Sequence, residues 1–399
     1  EYGYFSSGES FSIADPNEAW IMEMIGKGPG VKGAVWVAVR IPDDCIAAHA
    51  NQSRIHKFNM NDKDNCLYSP DVISFAREKG YFEGKNSEFS FSKAYNPLDF
   101  GGARFCEARV WSFFNMFSKS TGEAYLPYAL GESKEPMPLY IKADSKLSVR
   151  DVQKAMRDHY EGTPLDITKD LGAGPFNTPY RLSPLTFKVD GVEYFNERPI
   201  STQQSAFSFV AQMRASLPDP VGGVMWFGLD DANMTVFTPV YCCTDRIPTP
   251  YAEGNGDCIT FSWDSAFWIY NWVADMIRPR YSLMIGDMRA VQDELENTFA
   301  AAQEGIEASA VKLFQEDPNK AKDFLTNYTD MTARTTIDRW KKLGEFLIVR
   351  YNDGAVKKMK NGKLMAPETG NVAPLERPGY PEEFLKELVK STGERYKSK

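Results

Sequence analysis

Short apolar runs, each bounded by Gly, Pro or Asp, mark the first fifty positions of the chain. They occupy residues 11–14, 19–25, 35–41 and 45–50. Runs of this length between turn residues are typical of β-strands, so they predict an antiparallel meander. Similar runs recur later, at 201–213, 223–228 and 235–242. The two β blocks, 10–51 and 200–243, indicate two stacked sheets in a layered α+β domain.

Helical periodicity appears between the β blocks and dominates after them. Apolar residues recur every three or four positions over 103–117 and 149–160, as on one face of an amphipathic helix. The segment 118–199 is otherwise rich in loops, Gly and Pro, and we predict an excursion from the main domain there. Long helical runs then continue to the end of the chain. We therefore predict a main domain over 1–262 and a helical C-terminal region over 263–399.

Composition excludes several classes of protein. The 399 residues are 43% hydrophobic and 25% charged, with a net charge of −8, which is typical of a globular chain. The acidic balance disfavours nucleic acid or anionic lipid as a partner. No stretch approaches eighteen uninterrupted apolar residues, so we expect no membrane span. The acidic character favours a periplasmic or secreted location over a cytoplasmic one.

The familiar cofactor and catalytic motifs are missing from the sequence. There is no P-loop, no dinucleotide-binding glycine motif, no H-E-x-x-H and no G-x-S-x-G, so we expect no cofactor and no metal. Six cysteines are too few for a disulfide scaffold. Cys258 could pair with Cys242 or Cys243, or all three could be free thiols. Cys45 and His49 share a strand face but would lie about 13 Å apart, too far for a catalytic dyad.

Two polar residues stand where chemistry could occur. Asn51 follows the fourth predicted strand, and an asparagine amide at a strand end can donate to a developing oxyanion. A turn or capping role is its alternative. Arg104 follows a glycine pair at a predicted helix start, where a positive charge gains nothing from the helix dipole. Another partner should hold it: a substrate carboxylate, a thiolate, or an ordinary carboxylate such as Glu107.

Seven segments together share a pattern with one enzyme family. They are SGESFSIAD (7–15), EAWIME (18–23), WVAVRIPD (36–43), HANQSRI (49–55), STQQ (201–204), GGVMWFG (222–228) and FTPVY (237–241). In combination they resemble the dipeptidase A family of cysteine peptidases, N-terminal-nucleophile hydrolases related to the secernins. The likeness extends over residues 4–280. It implies an α+β fold, a four-layer αββα sandwich, here with a long helical C-terminal extension.

In that family the nucleophile is a cysteine at the mature N-terminus, and its own α-amine is the base. The chain begins at Glu1, and the resemblance places its first sheet well inside a family member. We therefore expect the cysteine and its strands on a missing N-terminal segment, held to this chain as a companion. Without that segment the chain would be inactive and would expose unpaired strand edges. An internal cysteine has no free α-amine, so none of the six can take the role.

The layout is also similar to penicillin V acylase and bile salt hydrolase. The likeness places Asn51 at the position of an oxyanion-binding asparagine and Arg104 at that of an arginine near the thiol. It implies attack of the absent thiolate on a dipeptide carbonyl, followed by hydrolysis of the acyl-enzyme. A terminal amine with a pKa of about 8 is a workable base. The alternatives to a dipeptidase are a non-catalytic secernin-like interaction protein and a linear-amide acylase. The aromatic residues of 263–281 fit either a buried core or a homo-oligomer interface.

Overall fold

The computed structural model describes residues 8–398; residues 1–7 and 399, including Glu1 and the beginning of the SGESFSIAD segment, lie outside the described residues. The chain forms two units. The first comprises Glu1–Ala155 and Ser183–Ile200, and the second Met156–Leu182 and Ser201–Lys399. Antiparallel sheets and helices occur in both, which confirms the α+β class.

The first three strands of the predicted meander belong to a four-stranded antiparallel sheet in the first unit, but its fourth strand is not the predicted 45–50. Its strands are β1 (Gly8–Ala14), β2 (Ala19–Gly26), β3 (Ala34–Ile41) and, beyond the short β4 (Cys45–Ala47), β5 (Cys66–Tyr68). The order is β1-β2-β3-β5, and Ser10 lies opposite Glu23. Ile21, Val35 and Val37 are buried with Val72 and Phe91 in one apolar core. β4 pairs instead with β6 (Tyr140–Lys142).

Helices of the first unit follow the sheet. They are α1 (Val72–Glu78), α2 (Phe91–Tyr95), α3 (Phe100–Gly102), a π-helix (Ala103–Glu107), α4 (Ala108–Phe117), α5 (Lys119–Ala129) and α6 (Val149–Ala155). A hairpin of β7 (Thr186–Val189) and β8 (Val192–Phe195) completes the unit. The segment 118–199 is thus more ordered than its pattern predicts. The helix α5 contains Gly122 and Pro127, two residue types that disfavour a helix, so the sequence pattern did not predict it. Trp111 of α4 donates from Nε1 to the Gly122 carbonyl at 2.8 Å.

The second unit has one three-stranded antiparallel sheet and the long helices. The strands β9 (Phe207–Met213), β10 (Gly223–Leu229) and β11 (Thr238–Tyr241) are arranged in the order β11-β10-β9. The helices are α7 (Asp219–Gly222), α8 (Ala266–Ile277), α9 (Tyr281–Glu316), α10 (Pro318–Arg350) and α11 (Glu382–Thr392). Four two-residue strands, Val356–Lys357, Met359–Lys360, Lys363–Leu364 and Leu375–Glu376, lie between α10 and α11.

The boundaries of the long helices follow from local signals. A Pro-containing 3₁₀ turn, Arg278–Arg280, separates α8 from α9, because a proline lacks the N–H that continues a helix. Pro318 opens α10, where the side chain of Asp317 caps the helix by accepting from the Asn319 N–H at 2.9 Å. Within residues 8–398, no helix combines the length and the apolarity needed to cross a bilayer.

Candidate functional site

A polar cavity of about 420 Å³ lies in the first unit. It is lined by the beginning of β1, by Glu23 and Ile25 of β2, by residues 49–53, by Tyr95 and Asn96, and by Arg109. Carboxylate, imidazole, amide and guanidinium groups therefore meet in one concave space. Within the described residues no group of three or more His, Cys, Asp or Glu is placed to hold a metal ion.

Asn51 lines this cavity, but from a loop. The predicted strand 45–50 is wrong in length, since β4 ends at Ala47. Its partner β6 is only three residues long, and the carbonyl of Ala48 bonds to the buried Arg54 guanidinium instead of a strand. Asn51 adopts a left-handed backbone conformation with φ of 56°, which asparagine tolerates better than most residues.

The side chain of Asn51 has a defined partner. Its Oδ1 accepts a hydrogen bond from Nη2 of Arg109 at 2.9 Å. A guanidinium has only donors, so the oxygen of the carboxamide must face it. The amide NH₂ is then the part of the Asn51 side chain that can donate to another group. This is the donor that oxyanion stabilisation requires.

Arg104 lies elsewhere in the same unit. It belongs to the π-helix Ala103–Glu107, and its guanidinium forms an ion pair with Glu197. Its Nε is buried and has no hydrogen-bond partner among the described residues. Arg104 is not among the described residues that line the cavity. The carboxylate that holds it is thus Glu197, while Glu107 pairs with Arg54.

Arg109 is the functional candidate that the sequence pattern did not single out. It lies five positions after Arg104 and is the second residue of α4. Its Nε donates to the Phe105 carbonyl at 2.6 Å, and its Nη2 also reaches the Ala50 carbonyl at 3.4 Å. The π-helix that precedes Arg109 is a structural signal, since such insertions are frequent at functional sites. A π-helical turn has no pattern visible in a single sequence, so the sequence offered no signal for Arg109.

Glu23 holds the Asn51 loop from the sheet side. This carboxylate accepts from the backbone N–H of Arg54 at 2.6 Å and of Ile55 at 3.1 Å, and from the hydroxyl of Ser53. Burial raises the pKa of Glu23, and the three donors offset part of this rise. Glu23 therefore fixes the backbone three and four residues after Asn51 and the side chain of Ser53.

His49 is among the residues that border the cavity. Its Nε2 lies 2.9 Å from the hydroxyl of Ser12 on β1. Burial, together with the charge of Arg54, lowers the pKa of His49 below its ordinary value. Cys45 does not act with it: the Sγ of Cys45 contacts Asp44 at 3.6 Å.

Five of the six cysteines have a pKa that disfavours the thiolate. Burial raises the pKa of Cys45, Cys66, Cys106, Cys242 and Cys243 above the ordinary thiol value. A raised pKa lowers the thiolate fraction, and the thiolate is the nucleophilic form. All six cysteines are free thiols, Cys258 included.

Comparisons with known proteins agree on one family. Residues 1–294 match the family model described as peptidase family C69. The chain is 28% identical over 237 residues to a probable dipeptidase of Salmonella dublin, covering 59% of this chain and 47% of that protein. It is 26% identical over 311 residues to a probable dipeptidase of Latilactobacillus sakei, covering 76% of this chain and 58% of that protein. A probable dipeptidase B of Streptococcus pyogenes serotype M1 is 24% identical over 351 residues, covering 86% and 64%. The chain thus spans about half to two thirds of these relatives.

Proposed function

The chain belongs to peptidase family C69, and from that membership we propose that it is the larger C-terminal portion of a cysteine dipeptidase. The observation that carries the proposal is the family match over residues 1–294. The matched residues include those that line the polar cavity. The names of the relatives support dipeptides as the substrate class. The proposed fold of the whole protein is the αββα sandwich.

The proposed nucleophile is an N-terminal cysteine outside this chain. Its α-amine takes the thiol proton, the thiolate attacks the dipeptide carbonyl, and the amine returns the proton to the leaving amino acid. Water then hydrolyses the thioester and regenerates the cysteine. The raised pKa of Cys45, Cys66, Cys106, Cys242 and Cys243 supports a nucleophile other than these.

Within this chain, Asn51 is the proposed oxyanion donor and Arg104 the proposed organiser of charge. The NH₂ of Asn51 supports its role because the amide oxygen is already bound by Arg109. The buried, unpartnered Nε of Arg104 supports a further partner for that guanidinium. Arg104 is proposed to meet it once the companion segment is in place.

The edge of the first sheet is the proposed docking place for that segment. β1 is an edge strand among the described strands, and its beginning lines the cavity. Its outward side chains Phe11 and Ile13 remain 41% and 51% exposed. An unpaired edge with apolar side chains is a template for another strand, and a strand added there would bring a residue near Asn51.

The test uses the natural gene product, purified with any companion chain. Free amino acids released from a dipeptide panel, compared with N-acylated dipeptides and phenoxyacetyl amides, separate a dipeptidase from an acylase. A thiol-directed inactivator followed by peptide mapping locates the nucleophile. We expect the label on an N-terminal cysteine of a companion. A label on one of the six cysteines of this chain would overturn the mechanism, and turnover of none of the substrates would support the interaction-protein alternative.

Asn51→Ala tests the oxyanion donor. Loss of one such donor lowers kcat by roughly 10²- to 10³-fold, with KM changing little. Asn86→Ala is a matched control, because Asn86 accepts from Arg77 Nη2 at 2.7 Å on the surface of the same unit. Equal kcat in the Asn51→Ala and wild-type proteins would remove Asn51 from the proposal.

A further inference from the structure

We infer that Arg109 is a positioning residue that holds the Asn51 carboxamide with its NH₂ toward the reacting carbonyl. The inference rests on the proposed function of Asn51 and adds a residue that neither the sequence pattern nor the family likeness selected. Three hydrogen bonds carry it. Arg109 donates through Nε to Phe105 O, and through Nη2 to Ala50 O and to Asn51 Oδ1.

The side-chain amide of Asn51 can rotate between two orientations. The carboxamide of asparagine is close to two-fold symmetric in shape, so packing alone discriminates poorly between its two orientations. In one orientation it offers NH₂ to the cavity, and in the other it offers an oxygen that would repel an oxyanion. Arg109 can only donate, so it selects the orientation with Oδ1 toward itself. The charge of the guanidinium also strengthens this hydrogen bond.

The backbone is held on both sides of Asn51. Arg109 reaches the carbonyl of Ala50 before it. After it, the Nε2 of Gln52 donates to the Asn96 carbonyl at 2.7 Å, and the Ser53 N–H donates to Asn96 Oδ1 at 3.0 Å. The loop is therefore immobilised, and rotation of the amide is the freedom that Arg109 removes.

The contacts of Arg109 favour a positioning role over direct binding of the substrate. Nε and Nη2 of Arg109 already donate to three groups of the protein. Anchoring by its own helix through Phe105 keeps the guanidinium in place. Its effect on a reaction is therefore transmitted through Asn51, and removing Asn51 should remove the effect of Arg109.

A double-mutant cycle tests this transmission in the natural gene product. Arg109→Met is expected to lower kcat by at least 10-fold, with KM within about three-fold, and by no more than Asn51→Ala does. Arg109→Lys should recover part of kcat, since an ammonium can still donate to Oδ1. The double variant should equal Asn51→Ala. Arg77→Met is the control, because Arg77 donates to Asn86 Oδ1 at 2.7 Å with the same chemistry away from the cavity. Multiplicative losses in the double variant would overturn the inference.

A second measurement does not depend on activity. The side-chain amide resonances of Asn51 in ¹⁵N-labelled, deuterated protein can be assigned by their loss in Asn51→Ala. We expect Arg109→Met to shift them and Arg77→Met to leave them in place. Unchanged Asn51 resonances in Arg109→Met would refute the inference even if the protein hydrolyses dipeptides. A protein without dipeptidase activity whose Asn51 resonances do shift would instead refute the proposed function and keep the contact.

Discussion

Arg54→Met removes the buried cation that ties the Asn51 loop to the helices of the first unit. The Arg54 side chain is 1% exposed and forms a 3.1 Å ion pair with Glu107, which is 2% exposed. Its guanidinium also donates to the carbonyls of Ala48, Pro138 and Leu139 at 2.8, 2.9 and 3.3 Å. Methionine fills much of the same space and replaces none of these bonds.

The expected loss follows from the charge left behind. Removing one member of a buried ion pair costs about 3–5 kcal/mol, because the other charge stays buried without compensation. Adding Glu107→Gln to Arg54→Met removes that stranded charge. The double variant should therefore be more stable than Arg54→Met alone, although the three carbonyls still lack their donor. Lys320→Met is the comparison: it breaks an exposed pair with Glu316 and should cost less than about 1 kcal/mol.

Urea unfolding followed by tryptophan fluorescence measures the total loss. Hydrogen exchange of peptides covering residues 48–55 assigns it to this loop, because the N–H groups of Arg54 and Ile55 are bound by Glu23. A loss below 1 kcal/mol for Arg54→Met would refute the reasoning. A double variant less stable than Arg54→Met would refute the account of the stranded Glu107 charge.

Three further outcomes follow from individual sites. Glu23→Ala should cost about 3 kcal/mol or more, as it strands three donors, and Glu23→Gln clearly less; equal urea midpoints for the two would contradict this. Gly344→Ala should destabilise the protein, because the added Cβ in α10 would lie 2.2 Å from the Trp272 ring. Gly305→Ala in α9 meets no atom within 4 Å and should stabilise the protein by about 1 kcal/mol. Thermal melting checks the sign of both changes. Burial raises the pKa of Asp230 from 3.8 to about 7, so the folded state favours the protonated carboxyl and loses that stability as pH rises toward 7. The stability of Asp230→Asn relative to wild type should therefore increase between pH 4 and 7, and a constant difference would count against the raised pKa.

Local pattern predicted those parts of the fold that local sequence controls. Buried and less buried positions alternate over 20–24 in β2 and over 34–37 in β3, and α9 and α10 begin or end at prolines and capping residues. These features involve residues a few positions apart, so one sequence contains the whole signal. The strand that was predicted too long, 45–50, is limited by a distant segment, because Ala47 pairs with Tyr140, the first residue of the three-residue strand β6. The carbonyl of Ala48 is bound by Arg54 instead of a strand.

The candidate site divides in the same way. Asn51 could be selected from its residue type, its place after a strand and the family likeness. Arg109 could not, since its contact with Asn51 joins residues 58 positions apart. Arg104 and Arg109 lie five positions apart on one helical stretch, yet they have different partners, Glu197 for Arg104 and Asn51 for Arg109. The sequence by itself determined the longest strands and helices and the family, because apolar periodicity and short motifs are local. Only the tertiary structure decided which guanidinium meets which oxygen, because that depends on the rotation of one helix and the path of one loop.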